Sequence, residues 1–149
     1  MKTNEDSAGF KLTVTRVINA PCAMVYRAWT EPKQMLQWFS PRDVECRSID
    51  MDLKIGGAYR VHFVSKMGDH IATGKYTEIV PNKRLRFTWQ WQHNAMPNSV
   101  VTVDFEDLGA TTRLTLLHEG LPSQEEADHH SHGWSSMAEK FAGFMEQKK

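Results

Sequence analysis

The sequence has little of what marks several large classes of protein. Its 149 residues include two cysteines, Cys22 and Cys46, whose spacing matches no disulfide or metal motif. We therefore expect two reduced thiols and a cytoplasmic protein. No apolar run approaches the roughly 18 residues of a membrane span, and residues 1–7 lack the apolar core of a signal peptide. These absences argue against membrane insertion and against export.

Charge of one sign is also missing. The chain carries 18 lysines and arginines against 18 aspartates and glutamates, so its formal net charge is zero. Proteins that bind nucleic acid usually show a basic excess or a basic face. The composition therefore predicts no nucleic-acid partner.

The common catalytic motifs are absent as well. There is no G-x-S-x-G elbow, and Gly56-Gly57 lacks both the pattern and the following helix of a phosphate-binding loop. Cys22 lies at a predicted helix start, where a lowered thiol pKa is one reading and an inert packed thiol is the other. We name no catalytic residue from these motifs and expect no cofactor.

A long amphipathic helix near the C-terminus is the strongest feature that is present. Pro122-Ser123-Gln124-Glu125-Glu126 reads as a capping box, which predicts a helix from about Gln124 to Met145. An apolar stripe runs along one side of this helix. It comprises Trp134, Met137, Ala138, Phe141, Phe144 and Met145.

Most of the remaining chain alternates apolar and polar residues with period two, which predicts β-strands. Residues 10–18 form the first strand, two short helices follow around Pro21 and Pro32, and six further strands run from Val44 to His118. Residues 1–8 read as a flexible tail and residues 9–149 as a single domain. The predicted fold is α+β, a curved seven-stranded antiparallel sheet wrapped around the C-terminal helix, with two short helices after strand 1.

A set of short motifs in a fixed order resembles a known family. The motifs are Val14-Thr15-Arg16, Ala20-Pro21, Ala28-Trp29-Thr30-Glu31-Pro32, Trp38, Asp52 with Gly56-Gly57, Gly74-Lys75-Tyr76-Thr77-Glu78, Arg84-Leu85, Thr112-Arg113-Leu114-Thr115-Leu116, and His130 with Gly133-Trp134. They are similar to the bacterial branch of the family named after the activator of the heat-shock protein 90 ATPase, within the START-like (SRPBCC, Bet v 1-like) helix-grip superfamily. Two positions depart from the family pattern, Lys54 and Ile55, and both lie in a turn.

This resemblance implies a cavity between sheet and helix that holds a lipid, hormone, polyketide or other aromatic molecule. The family name also implies a stress response and a chaperone partner as an alternative role. Family members include ligand carriers, cyclases and resistance proteins, so the fold alone does not decide the activity.

The inward register of the strands supplies candidate ligand contacts. The aromatic walls are Phe63, Trp89, Trp91, Trp134 and Phe141, with Val103 and Met137 beside them; Tyr59, Tyr76 and His118 are polar anchors; Trp38 is a lid or mouth residue. The competing interpretation is an ordinary filled core made of the same residues.

Two histidines carry the catalytic alternative. His118 lies in the inward register of the last strand, and His130 lies on the inward arc of the helix. Either could act as a general acid or base, or donate a hydrogen bond to a ligand. A buried histidine satisfied by a neighbouring group is the other reading. His129 and His132 have the spacing to share a metal ion, but nothing completes the set, and we predict no metal site.

The sequence therefore predicts a START-like domain that binds a small hydrophobic or aromatic molecule, as a monomer or homodimer. A cyclase- or hydrolase-type enzyme that uses a pocket histidine is the second hypothesis. A chaperone-associated interaction module is the third.

Overall fold

The computed structural model describes residues 9–148, so the predicted flexible tail at residues 1–8 lies outside the described residues. The elements in chain order are β1 (Phe10–Ile18), α1 (Cys22–Ala28), α2 (Pro32–Trp38), β2 (Glu45–Met51), β3 (Ala58–Ser65), β4 (Gly68–Val80), β5 (Arg84–Thr88), β6 (Gln90–Trp91), β7 (Val100–Asp107), β8 (Thr112–Leu121) and α3 (Gln124–Lys148).

The strands form one antiparallel sheet in the order β1-β8-β7-β5-β4-β3-β2, with the two-residue β6 paired to β4. The long helix α3 packs against β1, β8 and α2. The predicted helix-grip fold is confirmed. Its eighth strand arises because the predicted strand around Leu85 to Gln92 is broken into β5 and β6.

The break falls at Trp89. The backbone N–H of Trp89 donates to the carbonyl oxygen of Ser99 at 3.0 Å, outside the strand ladder. Before the break, β5 pairs with β4 and β7, and after it β6 pairs with β4 alone. The side chain of Trp89 still points into the protein, where it is 3% exposed.

Gly74 of β4 lies beside this break, close to the backbone of Thr88. A Cβ atom at this position would lie 2.0 Å from the carbonyl oxygen of Thr88 and 2.7 Å from the ring of Tyr59. Glycine is therefore the residue that lets the neighbouring strand and this ring approach so closely.

Period two decides which side chains enter the core. In β3, Tyr59, Val61 and Phe63 are buried while Arg60 is exposed. The same alternation buries residues 101, 103 and 105 of β7, and residues 114, 116 and 118 of β8.

The helix α3 begins where the capping signal predicts. The hydroxyl of Ser123 accepts a hydrogen bond from the Glu126 N–H at 3.1 Å, which satisfies one free donor of the first turn. The carboxylate of Glu126 turns elsewhere, toward Asn94. The apolar stripe of the helix then buries Trp134, Met137, Phe141 and Met145, residues that the 3.6-residue period had placed on one side.

Candidate functional site

A groove opens at one end of the molecule, between the β3–β4 hairpin, the loop after β6 and the N-terminal half of α3. Its volume is about 470 Å³. The floor is apolar and aromatic, formed by Phe63, Trp89, Trp91, Trp134 and Met137. The rim is polar, formed by His70, His93, Asn94, Glu126, His129 and His130. Pro41, Val44, Ser65, Met67 and Gly133 complete the lining.

Five of the eleven predicted ligand contacts lie in this groove, and they are its floor. The other six do not line it. They are Trp38, Tyr59, Tyr76, Val103, His118 and Phe141, all buried in the core. The predicted residues are thus divided between two places rather than gathered around one central cavity.

The middle of the protein is filled. The ring of Trp38 packs 4.8 Å from the ring of Trp29 and 4.3 Å from the ring of Phe141, measured between centroids. Trp38 is fully buried, so it stands inside the core and not at a mouth. The internal cavities beside these residues measure about 20 and 10 Å³, the space of a single water molecule.

The two tyrosines proposed as anchors belong to this filled region. The hydroxyl of Tyr59 donates to the carbonyl oxygen of Thr88, which satisfies it within the protein. Burial raises the pKa of Tyr59 well above its ordinary value, with a smaller contribution from Tyr76. Burial likewise raises the pKa of Tyr76. Both phenols are therefore neutral across the physiological range.

His118 forms two hydrogen bonds inside the core. The indole Nε1–H of Trp134 donates to His118 Nδ1 at 3.0 Å. Because Nδ1 accepts, the ring proton sits on Nε2, which donates to the hydroxyl of Ser99. Burial, with His130 nearby, lowers the pKa of His118 to about 3. His118 is a neutral, fully satisfied core residue.

His130 repeats this arrangement at the groove with the opposite tautomer. The Nε1–H of Trp91 donates to His130 Nε2 at 3.0 Å, and His130 Nδ1–H donates to the Glu126 carbonyl oxygen at 2.8 Å. The Glu126 carboxylate lies 3.5 Å from the same Nδ1. Burial lowers the pKa of His130, and the hydrogen bond and charge of Glu126 act against that shift.

The hydrogen bonds of these two histidine rings leave little room for acid–base catalysis. Each nitrogen of each ring is held by a neighbour, and the His130–Glu126 pair is the nearest match to a histidine oriented by a carboxylate. For His130 to take a proton from a bound molecule, the hydrogen bond from Trp91 would have to break first.

Metal and thiol chemistry receive no support from the described part of the chain. Residues 9–148 contain no group of three histidine, cysteine or acidic side chains placed to hold a metal ion. Cys22 and Cys46 are free and buried. Burial and Asp107 raise the pKa of Cys22, against the lowered value that a helix start can produce. Burial raises the pKa of Cys46 to about 11.

Sequence reasoning missed most of the rim. His70 belongs to the hairpin, and His93 and Asn94 belong to the loop after β6. The approach of these residues to α3 depends on how both segments fold back. Glu126 was recognised as a capping residue but not as a groove residue. One signal was available in Gly133, a glycine inside a helix that lowers helix stability by roughly 1 kcal/mol relative to alanine. Its absent side chain keeps the groove open beside Pro41.

The fold defines a helix-grip protein of the START-like class. Residues 19–146 match the family model described as "Activator of Hsp90 ATPase homolog 1-like protein". The chain belongs to this family.

Solved structures share the fold over nearly the whole chain. A protein from Chromobacterium violaceum is 27% identical, with a TM-score of 0.83 over 91% of this chain and 96% of its own. An AHSA1 protein from Silicibacter pomeroyi is 24% identical, with a TM-score of 0.80 over 94% and 100%. DynU16, from the dynemicin biosynthetic locus, is 22% identical, with a TM-score of 0.77 over 93% of this chain and 48% of its own.

No curated protein matches the sequence. Within residues 9–148, none of the helices is both long and apolar enough to cross a bilayer.

Proposed function

We propose that this protein binds a small hydrophobic, aromatic molecule in the groove, as a START-like domain of the cytoplasm. The observation that carries the proposal is the groove of about 470 Å³ with a floor of aromatic residues and methionine. Ligand sites are typically clefts of roughly 300–1,000 Å³ with apolar walls and a few polar groups. This groove has that size and that composition.

The proposal reassigns the predicted contacts. Phe63, Trp89, Trp91, Trp134 and Met137 contact the ligand, while the six buried residues hold the sheet and helix in the shape that leaves the groove open. The structural similarity to DynU16, a protein of a biosynthetic locus, supports a role with a small molecule.

The two other roles have less support. An enzyme would need His118 or His130 to exchange protons with a substrate, and both rings are fully hydrogen-bonded within the protein. A chaperone partner would need a broad apolar surface. The exposed large apolar residues of the described chain lie on separate strands, a helix and turns, and the two that share a loop, Leu53 and Ile55, are two side chains and not a broad surface.

The first experiment is native mass spectrometry on protein purified from its own host, followed by a thermal-shift screen of aromatic compounds. A small molecule that copurifies, or a shift that saturates with one chemical class, is the expected result. A protein that carries nothing and responds to no compound would contradict the proposal.

A substitution on α3 tests the location. Gly133→Met fills the groove, because the space beside Gly133 contains Pro41 Cγ at 3.7 Å from an added Cβ and otherwise opens into the groove. The control is Gly143→Met on the same helix, where an added Cβ meets nothing within 4 Å. Both changes raise helix propensity by a similar amount.

We expect Gly133→Met to weaken binding of 2-naphthol by at least about tenfold, which is about 1.4 kcal/mol. Gly143→Met should bind like the natural protein. Isothermal titration calorimetry gives both affinities, and equal affinity in the two variants would place the ligand elsewhere.

A further inference from the structure

The groove carries a charge that its apolar floor does not predict. Of the described residues that line it, Glu126 is the one carboxylic acid and none is a lysine or arginine, since the others are apolar, neutral polar or histidine. Its side chain is 31% exposed, so the carboxylate is partly removed from water but open to the groove.

The Glu126 carboxylate has unused capacity to accept hydrogen bonds. A carboxylate offers about four acceptor sites. Glu126 Oε2 accepts from the Asn94 amide at a long 3.3 Å, and Oε1 lies 3.5 Å from His130 Nδ1, whose proton goes to a carbonyl oxygen. Within residues 9–148, no lysine or arginine lies within 4 Å of this carboxylate.

The neighbouring elements do not supply the missing cation. On the loop before β2, Arg42 is engaged with Glu139 at 2.7 Å. On the β3–β4 turn, Lys66 is exposed and does not line the groove. The N-terminus of α3 carries a partial positive charge, which stabilises the negative charge of Glu126. That partial charge is shared, because Ser123 accepts a hydrogen bond from the first turn and Glu125 lies in it as well.

We propose that the ligand is an aromatic molecule with a basic nitrogen, held as an ammonium ion against Glu126 while its ring lies on the floor around Trp91. This inference rests on the proposed function and names the ligand class. The aromatic floor is compatible with a positive charge, because indole faces attract cations.

Three naphthalene probes of nearly equal shape test the ligand class by calorimetry at pH 8. They are 2-naphthylmethylamine as the cation, 2-naphthalenemethanol as the neutral form and 2-naphthoate as the anion. We expect the amine to bind about fivefold tighter than the alcohol, and the naphthoate to bind weakest. Glu126→Gln should reduce the affinity for the amine to that for the alcohol and leave the alcohol unchanged.

The control is Glu125→Gln. Glu125 is exposed in the same helical turn and does not line the groove, so both variants lose one charge at the same helix end. Glu125→Gln should keep the full preference for the amine.

The comparison of the three probes uses the natural protein and so does not depend on a variant that folds. Equal binding of amine and alcohol at pH 8 would overturn the ligand class and leave the proposed function intact, since the alcohol still binds. Binding of none of the probes would overturn both.

Discussion

Two hydrogen bonds of the same chemistry lie side by side in this protein, one in its core and one at its groove. Trp134 donates to His118 and Trp91 donates to His130, and the two histidine rings are 5.1 Å apart and perpendicular. His118 is fully buried, while the side chain of His130 is 9% exposed on the groove rim. The same pair of residue types thus lies inside the core in one place and lines the groove in the other.

The difference comes from what surrounds each pair. Both ring nitrogens of His118 have protein partners and the ring is closed off from water, so the pair joins α3 to β8 and, through Ser99, to the loop before β7. Around His130 the groove is open, and water or a ligand can replace a lost partner. Burial, and not residue type, decides how much each hydrogen bond matters.

The largest expected effect is on stability. His118→Ala leaves the indole N–H of Trp134 and the hydroxyl of Ser99 without partners and opens a void, which should lower the free energy of unfolding by about 3 kcal/mol. His130→Ala should lower it by about 1 kcal/mol, since water reaches the Trp91 N–H.

Thermal unfolding checks this pair of variants, with an expected fall in Tm of about 6–12 °C for His118→Ala. Equal losses in the two variants would refute the distinction between core and groove. A fall of less than about 3 °C with weakened ligand binding would instead support His118 as a ligand anchor.

The second effect is the pH dependence of stability. The pKa of His118 is lowered from 6.5 to about 3 in the folded protein, so the unfolded chain binds more protons between these values. Stability is therefore complete above pH 6.5 and falls as the pH drops toward 3. At pH 5 the loss from His118 should be about 2 kcal/mol.

Urea unfolding at pH 7.5 and pH 5.0 measures this loss, with His118→Asn as the variant that cannot titrate. The difference in unfolding free energy between the two pH values should be smaller in His118→Asn by about 2 kcal/mol. An unchanged difference would show that other groups dominate the acid response.

The smallest effect concerns the helix beside the groove. Gly133→Ala should raise the free energy of unfolding by up to about 1 kcal/mol, because alanine favours helix and the added Cβ meets Pro41 at an ordinary contact distance. Gly143→Ala, at an exposed position, is the matched control and should give a similar gain. A loss of stability in Gly133→Ala alone would show that the absent side chain serves packing against Pro41.

Much of the fold was predictable because it follows local periodicity. The bounds of β1 agree with the sequence prediction, and so does the start of α3 at its serine cap. The inward registers of β3, β7 and β8 were also predictable, since one polar face and one apolar face define them. The break at Trp89 was not, because it depends on the hydrogen bond to Ser99, ten residues further along the chain.

The candidate site was predictable only in part, for a related reason. Alternation places Phe63, Trp89 and Trp91 on the inner face of the sheet, and helical spacing places Trp134 opposite them. Neither pattern says which inward side chains fill the core and which border open space.

The amino-acid sequence by itself determined the strands, the helix and the face that each turns inward, because these depend on neighbours two to four residues apart. Only the tertiary structure decided that Trp38 and Phe141 close the middle while Trp91 and Glu126 face a groove. That outcome depends on how side-chain volumes sum between a curved sheet and a helix, and on where the loops from distant parts of the chain come to lie.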